Sequence, residues 1–304
     1  MDAVSIESVT KDFGAVTAVD NLSLVVPEQT IHGFVGPNGS GKTTTMRMIV
    51  NIFYPDRGTI HVFGRQMRGP SSELIGYLPE ERGLYRKMAV LPLLEFYGEL
   101  RSERKVTHEV KSWLERLGLA HCASQPLGTL SKGMAQKVQL IAAIVPQPKM
   151  LILDEPFSGL DPVSADEVRA AILDLRKRGT TIILSTHDMG VAELMCDRVF
   201  MILKGKKVLD GTLDSIQEMY GSDIVRLSAN VDSGLLRSLR GVEAVNDLGQ
   251  VKEIRMAPGS DPQAILHAAI SHGEVKSFAV ARPSLHDIFV RIATAKSEAE
   301  VQVA

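Results

Sequence analysis

Eight consecutive residues constrain this chain more than any other feature. Gly36-Pro37-Asn38-Gly39-Ser40-Gly41-Lys42-Thr43 satisfies the spacing G-x-x-x-x-G-K-[ST]; the alternating stretch IHGFVG leads into it, and a run with Met46, Ile49 and Val50 at helical spacing follows. Glycines let a backbone turn its N–H groups inward around an anion, and the helix behind them aims its positive end at the same point. In such a loop Lys42 reaches the outer phosphates of a nucleoside triphosphate and the Thr43 hydroxyl ligates Mg²⁺; Thr44 is counted with the phosphate contacts. An ordinary glycine-rich turn does not require every fixed position in a strand–loop–helix setting.

A phosphate loop alone does not select one chemistry. Met150-Leu151-Ile152-Leu153-Asp154-Glu155 narrows the choice: an apolar strand that ends in two carboxylates. A buried strand delivers Asp154 to the carboxyl edge of the sheet, where open α/β sheets bind ligands, and there Asp154 holds Mg²⁺ directly or through water. Glu155 points differently and polarises an attacking water. A purely structural role, capping the next helix, is weakened by the intervening Pro156-Phe157-Ser158-Gly159-Leu160-Asp161-Pro162.

The rest of the chain supplies the scaffold. Strands are expected at 4–13, 21–26 and 31–36, then a turn at 54–58 and a short strand at 59–63. Residues 86–145 read as mostly helical (91–101, 107–119, 131–145). Strand and helix then alternate: 150–153, 165–178, 180–185, 190–196 and 198–204. That alternation predicts an α/β fold with a largely parallel sheet. Tyr220-Gly221-Ser222-Asp223 is read as a boundary. Beyond it a βαββαβ order predicts a small ferredoxin-like α+β domain, its last helix at 284–294. The domains are thus 1–220, with a helical part at 86–145, and 221–295, followed by a frayed tail at 296–304. His267 and His272 are placed on a helix face and in a turn.

Charge and cysteine usage exclude several classes. A net charge of −2 does not suit a chain built to coat nucleic acid. No apolar run reaches the roughly 18 residues that cross a bilayer. The start, MDAVSIESVTKDF, carries early acids and no apolar core, so no signal peptide is expected. Cys122 and Cys196 form no C-x-x-C and no disulfide framework, which fits a reducing compartment.

Together the motifs resemble those of the ATP-binding subunits of ABC transporters. Leu130-Ser131-Lys132-Gly133-Met134 stands where that family carries its signature, Ser158-Gly159-Leu160-Asp161 resembles its D-loop, and His187 in Ser185-Thr186-His187-Asp188 resembles its switch histidine. The resemblance covers about residues 4–215. It implies a cassette with a mostly parallel core sheet, an antiparallel β subdomain and a helical insert. It also implies two subunits facing head to tail, each ATP lying between the P-loop of one and the Ser131 and Gly133 of the other. Asp161 joins that seam, His187 donates to the γ-phosphate, and Phe13 in Lys11-Asp12-Phe13-Gly14 stacks on adenine, unless Phe13 is a core residue.

Two departures from the family pattern matter. The family's usual Gln after a strand is replaced in Gly76-Tyr77-Leu78-Pro79-Glu80-Glu81-Arg82, where Glu80, or Glu81 beside it, takes the place and is read as a Mg²⁺ ligand. The signature carries Lys132 and Met134 where Gly and Gln are commoner. Both variations, with Pro283-Ser284-Leu285-His286-Asp287-Ile288-Phe289, resemble an exporter subgroup of ABC-2 or sodium-extrusion type. That implies an ATPase with ATP and Mg²⁺ as cofactors. Its partners are a separate membrane permease and a second ATP-binding subunit, with no nucleic acid expected. It would sit in the cytoplasm, held to the inner membrane face through the permease. Leu84, Tyr85, Met88, Leu91 and Phe96 are candidates for the permease contact. For the C-terminal domain the readings are regulation, a structural role or, preferred, dimer stabilisation. The competing classes are a soluble ATPase acting on ribosomes or nucleic acid, and a non-hydrolysing regulatory module. Paired cassettes, long coiled coils or basic extensions would mark the first and are missing; Lys42, Glu155 and His187 argue against the second.

Overall fold

The computed structural model describes residues 1–66, 74–81, 83–221, 224–257 and 259–303, with side chains described to 294. Arg82, Ser222 and Asp223, named above, lie outside the described residues. The chain divides into two compact units, Met1–Gly211 and Thr212–Ala304.

The first unit opens with a hairpin, β1 (Asp2–Phe13) and β2 (Val16–Pro27), paired from Phe13↔Val16 to Asp2↔Pro27. Then come β3 (Ile31–Val35), the phosphate loop, α1 (Lys42–Ile49), β4 (Arg57–Val62), β5 (Arg65–Gln66) and β6 (Ile75–Leu78). The helical layer is α2 (Val90–Ser102), α3 (Thr107–Arg116) and α4 (Lys132–Ile144). The chain returns through β7 (Met150–Asp154), α5 (Pro162–Lys177), β8 (Thr181–Thr186), α6 (Met189–Met195), β9 (Arg198–Leu203) and β10 (Lys206–Gly211).

Two sheets result. An antiparallel one has the order β2-β1-β4-β5; the core sheet has the order β10-β9-β3-β8-β7-β6, with β6 to β9 and β3 parallel and β10 antiparallel at the edge. Central strands buried on both faces must be apolar throughout, because successive side chains point to opposite sides. In β7, Leu151 and Leu153 enter the core shared with α2–α5, whereas Met150 and Ile152 enter the core shared with α1 and the antiparallel sheet. Burying each such side chain is worth about 1.5–3 kcal/mol. β3 lies between β8 and β9, where the chain order reverses, so the loops at the carboxyl ends of β3, β7 and β8 open on one crevice.

His32 in β3 is a polar residue within this core. It is fully buried, and neither ring nitrogen has a hydrogen-bond partner among the described residues. Burial, and secondarily Arg198, lower its pKa from 6.5 to about 3. The ring is therefore neutral when folded, while the unfolded chain takes up a proton below pH 6.5. Stability is full above that value and falls as pH drops toward 3. Between pH 6.5 and 5 the loss is roughly 2 kcal/mol. Urea unfolding of the native chain and of His32→Leu should give a steeper acid loss for the native chain; parallel pH profiles would contradict this assignment.

The second unit comprises α7 (Leu213–Met219), β11 (Ile224–Ala229), α8 (Ser233–Ser238), β12 (Val242–Asp247), β13 (Lys252–Met256), α9 (Pro262–His272), β14 (Val275–Ala281) and α10 (Leu285–Val303). Its sheet is antiparallel with the order β12-β13-β11-β14. Asp232 and Asp261 start α8 and α9 by accepting the N–H groups of Leu235 and Gln263. Val225, Leu227, Ile254, Leu236 and Ile265 form its core. Three sequence expectations change here. α7 belongs to this unit, so Tyr220 lies inside it: the Arg291 guanidinium donates to the Tyr220 carbonyl. His272 ends α9 rather than sitting in a turn. α10 runs on to Val303, through the good helix formers Ala295, Lys296, Glu298 and Glu300, instead of ending at 294.

Candidate functional site

At the carboxyl end of β3 the loop turns through Gly36, whose φ is 154°; a Cβ there would lie 2.3 Å from the carbonyl oxygen of Ile202, so only glycine fits. Asn38 and Gly39 form the exposed tip, and Pro37 is half-buried. Ser40 is buried, its hydroxyl without a partner among the described residues. Gly41 precedes α1 in a left-handed conformation, and no side chain caps the helix. Its first N–H groups thus keep no side-chain acceptor, a ready anion site.

The Lys42 ammonium is buried and donates to the carbonyls of Gly36 at 2.7 Å and Pro37 at 3.1 Å. Desolvation lowers its pKa, and the negative charges of Glu155, Asp154 and Glu80 oppose that shift. A cavity of about 440 Å³ lies above the loop. Asn38 to Thr44 and Ala18 line it, and Glu80 and Glu155 face it from the ends of two other strands. Glu80 and not Glu81 supplies the carboxylate to this cavity; the Glu81 carbonyl accepts from Gln139 of α4 at 3.5 Å.

The acidic end of β7 is fixed by its neighbour. The register Asp154↔Ser185 brings the Ser185 hydroxyl to donate to Asp154 Oδ1 at 2.6 Å and to accept the Glu155 N–H at 2.9 Å. Thr43 Oγ1 donates to the same Oδ1 at 3.2 Å. Asp154 Oδ2 is buried with no partner among the described residues. An orphaned buried carboxylate oxygen is costly, and a hard cation coordinated by oxygen would relieve it. Among the described residues no cluster of three or more His, Cys, Asp or Glu side chains could hold a metal alone. The Thr43–Asp154 pair with Glu80 near it therefore suits an ion whose other ligands are water and phosphate oxygens, as Mg²⁺ prefers.

Glu155 leaves the strand with φ at 50°, in the left-handed region. Its Oε1 lies 3.0 Å from His187 Nδ1. The carboxylate is 11% exposed and the imidazole 61%, so the pair spans the wall between the interior and solvent.

The remaining expected residues are elsewhere. Phe13 does not line the cavity; it is 45% exposed, so it is not a core residue. Its ring packs edge-on to Phe53 at 5.3 Å and beneath the Lys11 ammonium at 5.4 Å. Ser131 caps α4 by accepting the Met134 N–H, and Gly133 lies in the first turn; neither lines the cavity of its own chain. Asp161 caps α5, and the Ser164 N–H holds its carboxyl below the usual range. Signature and D-loop touch within one chain: Gly159 has φ of 71°, and the end of the Lys132 side chain lies 2.7–2.9 Å from where a Cβ would stand. Ser185 is the functional residue that sequence reasoning missed, since its role depends on strand register.

The chain is similar to known proteins over both of its units. A family model described as ABC transporter matches residues 19–158, and one described as the C-terminal domain of DrrA1-3-like ATP-binding proteins matches 211–293. The ABC transporter ATP-binding protein YhaQ of Bacillus subtilis (strain 168) is 38% identical, over 94% of this chain and 97% of that protein. Nod factor export ATP-binding protein I of Rhizobium sp. (strain N33) is 32% identical, over 95% and 96%. The daunorubicin/doxorubicin resistance ATP-binding protein DrrA of Streptomyces peucetius is 29% identical, over 95% and 92%. A solved ATP-binding subunit of an ABC transporter superposes with a TM-score of 0.68 at 28% identity, covering 72% of this chain and 93% of that one.

Proposed function

We infer the function from one premise: the chain belongs to the ABC transporter family, as an ATP-binding, ATP-hydrolysing subunit that works with a permease. The finer reading is our proposal. Two such subunits close on ATP and drive an exporter from the cytoplasmic face of the membrane. The observation that carries it is the convergence of Lys42, Thr43, Glu80 and Glu155 on one cavity, with Asp154 behind Thr43.

Each residue has a task set by its position. On binding, Lys42 exchanges its two loop carbonyls for the β- and γ-phosphate oxygens, joined by the N–H groups of Gly39 to Thr44. Thr43, Asp154 and Glu80 would hold Mg²⁺, which when bound would neutralise phosphate charge. Glu155 takes the proton of the attacking water, and Ser185 keeps it oriented. His187 already meets Glu155 through Nδ1; a ring that carries a proton on Nε2 donates from that atom to the γ-phosphate. Phe13 offers a stacking face to adenine, sequence-tolerant as such contacts are. Ser131, Gly133 and Asp161 complete the site of the partner subunit, which explains why they stand apart from the cavity of their own chain.

Export is supported by the relatives named for drug resistance and Nod factor export. Among the described residues no helix is long and apolar enough to cross a membrane, so the pathway belongs to the permease. Tyr85 and Phe96 are exposed, whereas Leu84, Met88 and Leu91 pack partly against the core. The first two are thus the stronger candidates for that contact. The second unit is read as ferredoxin-like: its strand order and its α8 and α9 crossovers support this, and dimer stabilisation is its assigned role.

Two experiments test the reading. Affinity purification from membranes is expected to bring down a multispanning permease; recovery of ribosomes or nucleic acid instead would contradict it. Glu80→Ala is expected to raise the Mg²⁺ concentration for half-maximal turnover roughly tenfold or more. An unchanged Mg²⁺ titration would remove Glu80 from the metal site.

A further inference from the structure

A second cavity of about 420 Å³ opens in the first unit at the end of the core sheet opposite the phosphate loop. That is within the range of small-molecule pockets. Its apolar wall is Trp113 of α3, Ile144 of α4, Leu151 of β7 and Leu175 of α5; the three aliphatic side chains are buried. Its charged wall is Lys149 and Arg178, and among the described residues no Asp or Glu lines it.

The cations are under-compensated. Lys149 is exposed and has no ion-pair partner among the described residues. Arg178 pairs with Asp174 at 2.8 Å, but that carboxylate also serves Arg116 at 2.7 Å, and the Arg116 guanidinium lies 4.8 Å over the Trp113 ring. An indole and aliphatic surface beside one unpaired cation, Lys149, and a second, Arg178, that shares its carboxylate with Arg116 is complementary to one ligand chemistry, a flat hydrophobic ring system bearing an anionic group.

We propose that this cavity is a binding site for an aromatic organic anion, its rings against Trp113, Ile144, Leu151 and Leu175 and its charge at Lys149 and Arg178. The place gives the site leverage on the other end of the sheet. α4 runs from Ser131 to this cavity, and β7 and β8 begin beside it and end at Asp154 and Thr186. The site does not depend on the assignment of ATP-site residues, and its test is a binding measurement.

Trp113 is the only tryptophan of the chain and stands in the cavity wall, so energy transfer from it is strongest for probe bound in or near this site, and the double substitution below tells the two apart. The full chain is titrated with anilinonaphthalene sulfonate and, separately, with phenylnaphthylamine, the same ring system without the sulfonate. The expected result is saturable transfer at one site per chain, at least about tenfold tighter for the sulfonate. That preference should disappear in a Lys149→Gln/Arg178→Gln chain whose thermal unfolding is unchanged. Absence of saturable transfer, equal affinity for the two probes, or a preference that survives the double substitution overturns the proposal.

Discussion

Glu155→Gln is expected to lower ATP turnover by about 10²–10⁴-fold, the contribution of a well-placed general base. The substitution changes little else. The amide has the same shape, the backbone bond from residue 155 to Ser185 does not involve the side chain, and the left-handed φ is unaffected. What disappears is the capacity of a largely buried oxygen, held 3.0 Å from His187, to accept a proton from water. ATP affinity is set by the phosphate loop and Lys42 and should hold. If two subunits close on ATP as proposed and hydrolysis reopens them, the variant should accumulate as an ATP-bound dimer on size-exclusion chromatography. Turnover above about a tenth of the native rate would assign the base elsewhere.

The parts of this site that could be read from the sequence are those whose chemistry is local. The phosphate loop, the apolar run ending in Asp154 and Glu155, and the alternation of strands and helices from 150 to 203 are each written in a few adjacent residues. The chain folds them where their spacing says. β6 needs a partner to be a strand at all: its four residues are stabilised by pairing with β7. Ser185 is ordinary as a sequence symbol and becomes a clamp only through the parallel register that sets it opposite Asp154. α7 is seven residues long with Ile216 as its buried side chain, too short for a periodic pattern, although Thr212 accepting from Ser215 marks its start. Which of Glu80 and Glu81 faces the nucleotide depends on how the loop leaves β6, which no spacing rule fixes. The signature and D-loop are legible as motifs, but their packing through Lys132 and Gly159 is a property of the folded chain.

Lys42 serves the cavity of its own chain, whereas Ser131 caps α4 away from that cavity. If ATP is held between two subunits, Lys42→Ala destroys a subunit's own loop and leaves its signature to serve the partner. Ser131→Arg does the reverse: it keeps the loop and blocks the signature with a bulky side chain. Each variant alone should be inactive, because every site in its homodimer lacks one half. Mixed in equal amounts, the two inactive proteins form heterodimers with one intact composite site, and turnover should return to roughly a quarter of the native value for random pairing. A mixture as inactive as its parts, or full activity of the Ser131→Arg chain by itself, would contradict a nucleotide shared between two subunits.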